Sequence, residues 1–155
     1  MSVLRSAFIA LSHNRPLRTF SEHSSLGNKL SSRFVAGLEI DDALRVAEQV
    51  NRQGMLVTLD SLGESVTTEA EATRSADVYH RLLDEIAARK LKSNISVKLT
   101  QMGLTQDPAL AERIAANLTQ HARATGNFVR IDMEDSSLTQ ITMDIVRRIH
   151  AQPDL

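Results

Sequence analysis

The chain has 155 residues, 42% of them hydrophobic and 24% charged, with a formal net charge of −1; that is enough for a core and the length of one ordinary domain, or of part of a larger one. Near-neutral charge, without a Lys/Arg cluster or an aromatic stacking platform, sets it apart from nucleic-acid-binding domains, so no nucleic-acid partner is expected. The absence of cysteine excludes a disulfide framework, a thiolate metal site and a Cys nucleophile, and is compatible with a reducing compartment.

The start, MSVLRSAFIALSHNR, holds one short apolar run, AFIAL. A secretory signal needs about 7–15 apolar residues and a membrane span about 20. The segment reads as a short amphipathic helix with Val3, Leu4, Ala7, Phe8 and Leu11 on one face; a mitochondrial presequence built around Arg5, Arg15 and Arg18 is the alternative. Residues 1–40 are basic and Ser-rich, with Pro16, Gly27 and Gly37, and read as a helical amino-terminal arm.

From Asp41 the pattern becomes regular. Asp41 and Asp42 open a helix with Ala43, Val46, Ala47 and Val50 as its apolar positions, stopped by Gly54. Strand MLVTLD follows, then the loop SLGES. Thr68 and Glu71 have the spacing of a capping box, and the helix they start carries Ala72, Ala76, Tyr79, Leu83 and Ile86 on one stripe. Strand NISVKL comes next. Asp107-Pro108 is an N-cap followed by proline at the first helical position, and Leu110, Ile114 and Leu118 mark that helix's buried face before Gly126. Strand NFVRID leads through MEDSS into a last helix with Leu138, Ile141, Ile145 and Ile149. Alternation of strand and helix predicts right-handed βαβ units and a parallel sheet. The expected class is α/β: residues 41–155 form the amino-terminal portion of a (β/α)8 TIM-type barrel, with three parallel strands near 55–60, 94–99 and 128–132. A closed barrel needs eight strands, so the pattern reads as the first part of something larger.

Three charges end these apolar runs: Asp60, Lys98 and Asp132. In a parallel sheet covered on both faces such residues are out of place, and burying a lone charge costs several kcal/mol. Parallel neighbours would gather them at one rim, where α/β folds place their chemistry. Lys98 can hold an anionic group, act as an amine nucleophile, or form a structural ion pair. Asp132 opens the acidic turn Asp132-Met133-Glu134-Asp135, which suits a metal, a general base or a partner for Lys98. An oxygen-ligand metal site needs more ligands than one turn supplies, so no metal is expected, and Asp135 and Ser136 have ordinary work as a helix cap. Asp60 is expected to bond backbone or a neighbouring strand, in a structural role. Glu64 follows Gly63, which permits a turn that a Cβ would resist; over a barrel mouth this carboxylate could gate entry. His13, His23, His80, His121 and His150 read as surface residues. No dinucleotide fingerprint, P-loop or nucleophile elbow is present.

At RFVAGLEIDDALRVAEQVN, LVTLDSLGESVTT, NISVKLTQMGL and GNFVRIDMEDS the chain resembles the proline dehydrogenase family in its bacterial monofunctional form, most firmly from Arg33 to Ser136. The resemblance implies a distorted (β/α)8 barrel that uses FAD to oxidise L-proline to Δ1-pyrroline-5-carboxylate in proline catabolism. It further implies that electrons pass to a quinone, in a cytoplasmic enzyme with peripheral contact to the inner membrane. By the same resemblance Lys98 is the substrate-binding lysine, Asp132 the active-site aspartate packed against it, Met133 the place where backbone meets FAD, and Glu64 the acidic half of an ion pair that closes the site. The family's remaining flavin contacts, and the arginines that grip the proline carboxylate, belong to later strands that this sequence lacks. The chain alone is therefore expected to hold FAD weakly, to be inactive, and to self-associate through open sheet edges. Two other readings are a Schiff-base, aldolase-like barrel using Lys98 and a non-catalytic half-barrel that assembles with a partner.

Overall fold

Side-chain alternation decides how this sheet is used. In a computed structural model of the protein, residues 35–63 and 66–152 are described. Three parallel strands, β1 (Val57–Asp60), β2 (Ser93–Val97) and β3 (Val129–Ile131), lie in sequential order. Four helices accompany them: α1 (Ile40–Arg52), α2 (Glu69–Ala88), α3 (Pro108–Ala124) and α4 (Thr139–His150). Sequential parallel strands joined by right-handed crossovers put the connecting helices on one face, as in an arc of a barrel; a doubly wound sheet reverses direction instead. α2 and α3 pack on β2 and β3 and on each other, and α4 packs on α3.

The register pairs Leu59 with Ile95 and Val97 with Ile131. These side chains share the helix-facing side, where Ile95, Val97 and Leu99 are fully buried against the stripe Ala72, Tyr79, Leu83, Leu118 and Ala122. The intervening residues point the other way: Thr58 with Asn94, Asp60 with Ser96, and Ser96 with Arg130. This second face is polar. The Thr58 hydroxyl donates to the Asn94 carbonyl at 2.9 Å, and both Thr58 and Arg130 are solvent-exposed. The premise that each strand is apolar on both faces is thus corrected: the strands alternate, and the charged residues continue a polar row.

Helix starts follow local chemistry. The Thr68 side chain accepts from the Glu71 N–H at 3.2 Å while the Glu71 carboxylate accepts from the Thr68 N–H, completing the capping box. Asp107 caps α3 by accepting from Ala109 N–H at 2.9 Å. The stripe expected on α1 is rotated: Leu44 and Ala47 are buried, whereas Val46 is 40% exposed. The strands are also shorter than their apolar runs. Met55 and Leu56 are exposed and precede β1, and Lys98 leaves β2 as the N-cap of a 3-10 turn, Leu99–Met102. Two compact units divide the chain, Met1–Asp42 and Ala43–Leu155. The expected arm, apart from its last residues, lies outside the described residues.

Candidate active site at the carboxyl end of the sheet

Extending the register by one pair past Val97↔Ile131 sets Lys98 opposite Asp132, and the Asp132 N–H bonds the Val97 carbonyl at 2.9 Å. Both side chains continue the polar row. The Lys98 ammonium lies between two carboxylates, 2.5 Å from Asp60 Oδ2 and 3.6 Å from Asp132 Oδ2. All three side chains are 28–30% exposed. The Ser96 hydroxyl donates to Asp132 Oδ1 at 2.6 Å, fixing that carboxylate from the middle strand. Arg130 reaches Asp132 at 4.0 Å. The Asp60 hydrogen bond, reinforced by both carboxylate charges against a smaller opposing effect of burial, raises Lys98 above its ordinary 10.5. Lys98 is therefore a held cation rather than a free amine.

A second group backs Asp60. Tyr79, fully buried on α2, brings its hydroxyl within 3.1 Å of Asp60 Oδ1 and of Gln101 Oε1, and accepts from the Ser61 N–H at 3.2 Å. Burial pushes the Tyr79 phenol well up, with the Asp60 charge adding to it. Gln101 donates its amide to the carbonyls of Ser61 and Gly63 at 2.9 and 3.2 Å. A Cβ on Gly63 would stand 2.9 Å from the Gln101 amide nitrogen, so this close approach, rather than a left-handed backbone, is what favours glycine there. Asp60 bonds Lys98, which lies within the expected second strand and directly follows β2, and it has a further partner that was not expected, Tyr79 on a helix.

The rest of the acidic turn is occupied. Glu134 accepts from the Thr100 N–H at 3.0 Å and from the Thr100 hydroxyl. Asp135 accepts from the Ser137 N–H at 2.8 Å, capping the 3-10 turn Ser136–Leu138. Met133 is 51% exposed beside the ion pair. Among the described residues no group of three or more His, Asp or Glu is arranged to hold a metal ion. Glu64 lies outside the described residues. A depression of about 310 Å³ opens beside the turn after β1, lined in part by Ser61, Gly63, Arg74 and Gln101; none of Asp60, Lys98 and Asp132 lines it. The histidines depart from the surface reading: His80 and His121 are half-buried, with rings stacked at 5.0 Å. His150 is exposed, and His13 and His23 lie outside the described residues.

The proline dehydrogenase family model matches residues 43–155. The chain belongs to the proline dehydrogenase family. It is 35% identical over 147 residues to proline dehydrogenase 1 of Bacillus subtilis (strain 168), a match that covers 94% of this chain and 48% of that protein. Against the proline dehydrogenase of Deinococcus radiodurans it is 31% identical over 123 residues, covering 77% of this chain and 40% of the relative. The chain thus spans about half the length, or less, of these proline dehydrogenases. Among solved structures, proline utilization A from Bdellovibrio bacteriovorus, inactivated by N-propargylglycine, superposes with a TM-score of 0.74 at 23% identity, over 83% of this chain and 16% of that one. That likeness bears on the fold alone, an arc of the TIM-type barrel. Together with the family match it makes the three-strand sheet an arc of a proline dehydrogenase barrel.

What sequence reasoning missed is the supporting shell. Asp60, Lys98 and Asp132 were legible as charges that end three apolar runs; Ser96, two residues before Lys98 and so on the same strand face, was not singled out. The Tyr79 hydroxyl was hidden within an apolar helical stripe, although a buried tyrosine usually needs a partner for its O–H.

Proposed function

We propose that this chain supplies one wall of the active site of an FAD-dependent enzyme that oxidises L-proline to Δ1-pyrroline-5-carboxylate and hands electrons to a quinone. The observation that carries the reading is the Asp60–Lys98–Asp132 cluster at the carboxyl end of a sequential parallel sheet in a chain of this family. In this reading Lys98 binds substrate as a fixed cation, Asp132 is the active-site aspartate, and Glu64 is the acidic gate. Lys98 sits between two carboxylates, so it orients a zwitterionic amino acid without imposing a large net charge. When bound, FAD supplies the hydride acceptor. Met133, half-exposed next to the ion pair, fits one edge of a flavin; among the described residues no glycine-rich loop or basic cluster accompanies it to take the flavin's phosphates.

The proposal extends to residues 1–40 as an arm and 41–155 as the barrel part, to a cytoplasmic location with peripheral contact to the inner membrane, and to a carboxy-terminal half that completes the site. Among the described residues no helix is long and apolar enough to cross a membrane. The Schiff-base reading is disfavoured by Lys98 itself: a nucleophilic lysine needs a lowered pKa, and here it is raised.

The test uses the purified chain with added FAD, alone and with the carboxy-terminal half of the Bacillus subtilis relative. The expected result is no stoichiometric flavin band alone, and recovery of flavin absorbance with proline-dependent quinone reduction on mixing. A flavin band near full occupancy in the chain alone would overturn the half-site reading. Borohydride trapping of Lys98 with a carbonyl substrate would restore the aldolase reading.

A further inference from the structure

We propose that Asp60, Tyr79 and Gln101 are positioning residues that fix Lys98 from the helix layer and tie it to the turn after β1. The inference rests on the proline reading only for what Lys98 then binds. Asp132 is the weaker of the two anchors: it is 3.6 Å from the ammonium, and its other oxygen is held by Ser96. Asp60 is 2.5 Å away, and its second oxygen is held by the Tyr79 hydroxyl. Asp60 therefore joins the cation to a side chain rooted in the core.

The proton count shows that the group is coupled. The Tyr79 oxygen accepts one hydrogen bond, from the Ser61 N–H, and faces two acceptors, Asp60 Oδ1 and Gln101 Oε1. One phenolic proton serves both. A hydrogen bond to an ionised acceptor is the stronger of two alternatives, so a charged Asp60 draws that proton. Gln101 is 3% exposed, and its amide is directed away by the carbonyls of Ser61 and Gly63, which leaves its oxygen for Tyr79. A shift of the Ser61–Gly63 turn moves Gln101, changes how the Tyr79 proton is shared, and changes the grip of Asp60 on Lys98. The substrate-facing cation is in this way mechanically and electrostatically linked to the turn that precedes position 64.

The composition makes this measurable without substrate or flavin. The chain has one tyrosine and no tryptophan, and its lysines are Lys29, Lys90, Lys92 and Lys98. On the long-wavelength side of the phenylalanine bands, near-ultraviolet absorption therefore reports Tyr79 alone, and 13Cε resonances of labelled lysine resolve Lys98 from three others. In the 155-residue chain, Lys98 is expected to titrate above the ordinary lysine value of 10.5. Asp60→Asn should lower it, and by more than Asp132→Asn does. Tyr79→Phe, which keeps the ring, should move the Lys98 resonance and leave Lys90 and Lys92 in place. Lys98→Met should shift the Tyr79 absorption band. An equal or larger effect from Asp132→Asn, or a folded Tyr79→Phe chain with Lys98 unmoved, would overturn the proposal. If Asp60→Asn does not fold, Lys98→Met decides: an unshifted Tyr79 band refutes the linkage. Loss of proline oxidation from the completed enzyme would sink the functional reading and leave these titrations untouched.

Discussion

A histidine pair shows at the residue scale how a single proton can hold two helices. His80 on α2 and His121 on α3 bring their Nδ1 atoms to 2.7 Å, and His121 Nε2 contacts Asp84 Oδ1 at 2.8 Å. One Nδ1 must donate and the other accept, so one proton sits between them and a second would set N–H against N–H. Burial first, and then the charge of His121, holds His80 below its ordinary 6.5, against the opposing pull of Asp77 and Asp84. A depressed folded value means that the unfolded chain binds more protons, so this contribution is present above pH 6.5 and is lost as pH falls through the folded value. Thermal melts are expected to drop as pH falls below 6.5, and His80→Phe, which retains a stacking ring, should flatten that dependence. An unchanged acid-side slope in the variant would refute the assignment. Lys98 has the opposite sign: its raised value keeps its ion-pair contribution intact below pH 10.5, and the contribution fades as pH rises through the folded value.

Elements show where local rules sufficed and where packing overrode them. The box Thr68–Glu71 and the pair Asp107–Pro108 were legible because a cap needs only its own backbone neighbours. Thr68→Ala should cost about 1 kcal/mol in denaturant unfolding, and a loss near zero would mean that the box is decorative. The rotated face of α1 was not legible, because Val46 and Leu44 are equally apolar and only tertiary contact chooses between them. Strand ends were over-read for a related reason: Met55, Leu56 and Leu99 continue the apolar runs, yet the ladder covers only Val57–Asp60 and Ser93–Val97. The turn that ends β2 depends on Gly103, at φ +89. A Cβ there would lie 3.3 Å from Leu110 Cδ2 and 3.7 Å from the Ala72 Cβ. Gly103→Ala combines left-handed strain with that crowding and should destabilise by about 1–2 kcal/mol or more. A neutral change, read from the unfolding midpoint, would contradict it.

For the molecule as a whole, an arc of three strands places the Asp60–Lys98–Asp132 cluster at a rim whose opposite side belongs to another part of the barrel. The outer strands β1 and β3 each have one partner among the described strands, and Leu56 and Phe128, which lead into them, are 79% and 59% exposed. Unpaired edges flanked by apolar side chains favour association. Sedimentation of the chain alone is expected to show concentration-dependent self-association, suppressed by the complementary half; a monomer at all concentrations would contradict this. The most direct test of the central claim, that Lys98 is a substrate-holding cation at the rim of a proline-oxidising barrel, is a chimera. In it the matched 147 residues replace their counterparts in Bacillus subtilis proline dehydrogenase 1, and proline-dependent quinone reduction is measured with and without Lys98→Met. The account predicts a flavin-containing, active chimera whose kcat/KM for proline falls at least about tenfold on losing one charged hydrogen-bonding group, a loss of roughly 1.4 kcal/mol or more. A folded, flavin-loaded chimera that oxidises proline equally well with Met at position 98 would contradict it.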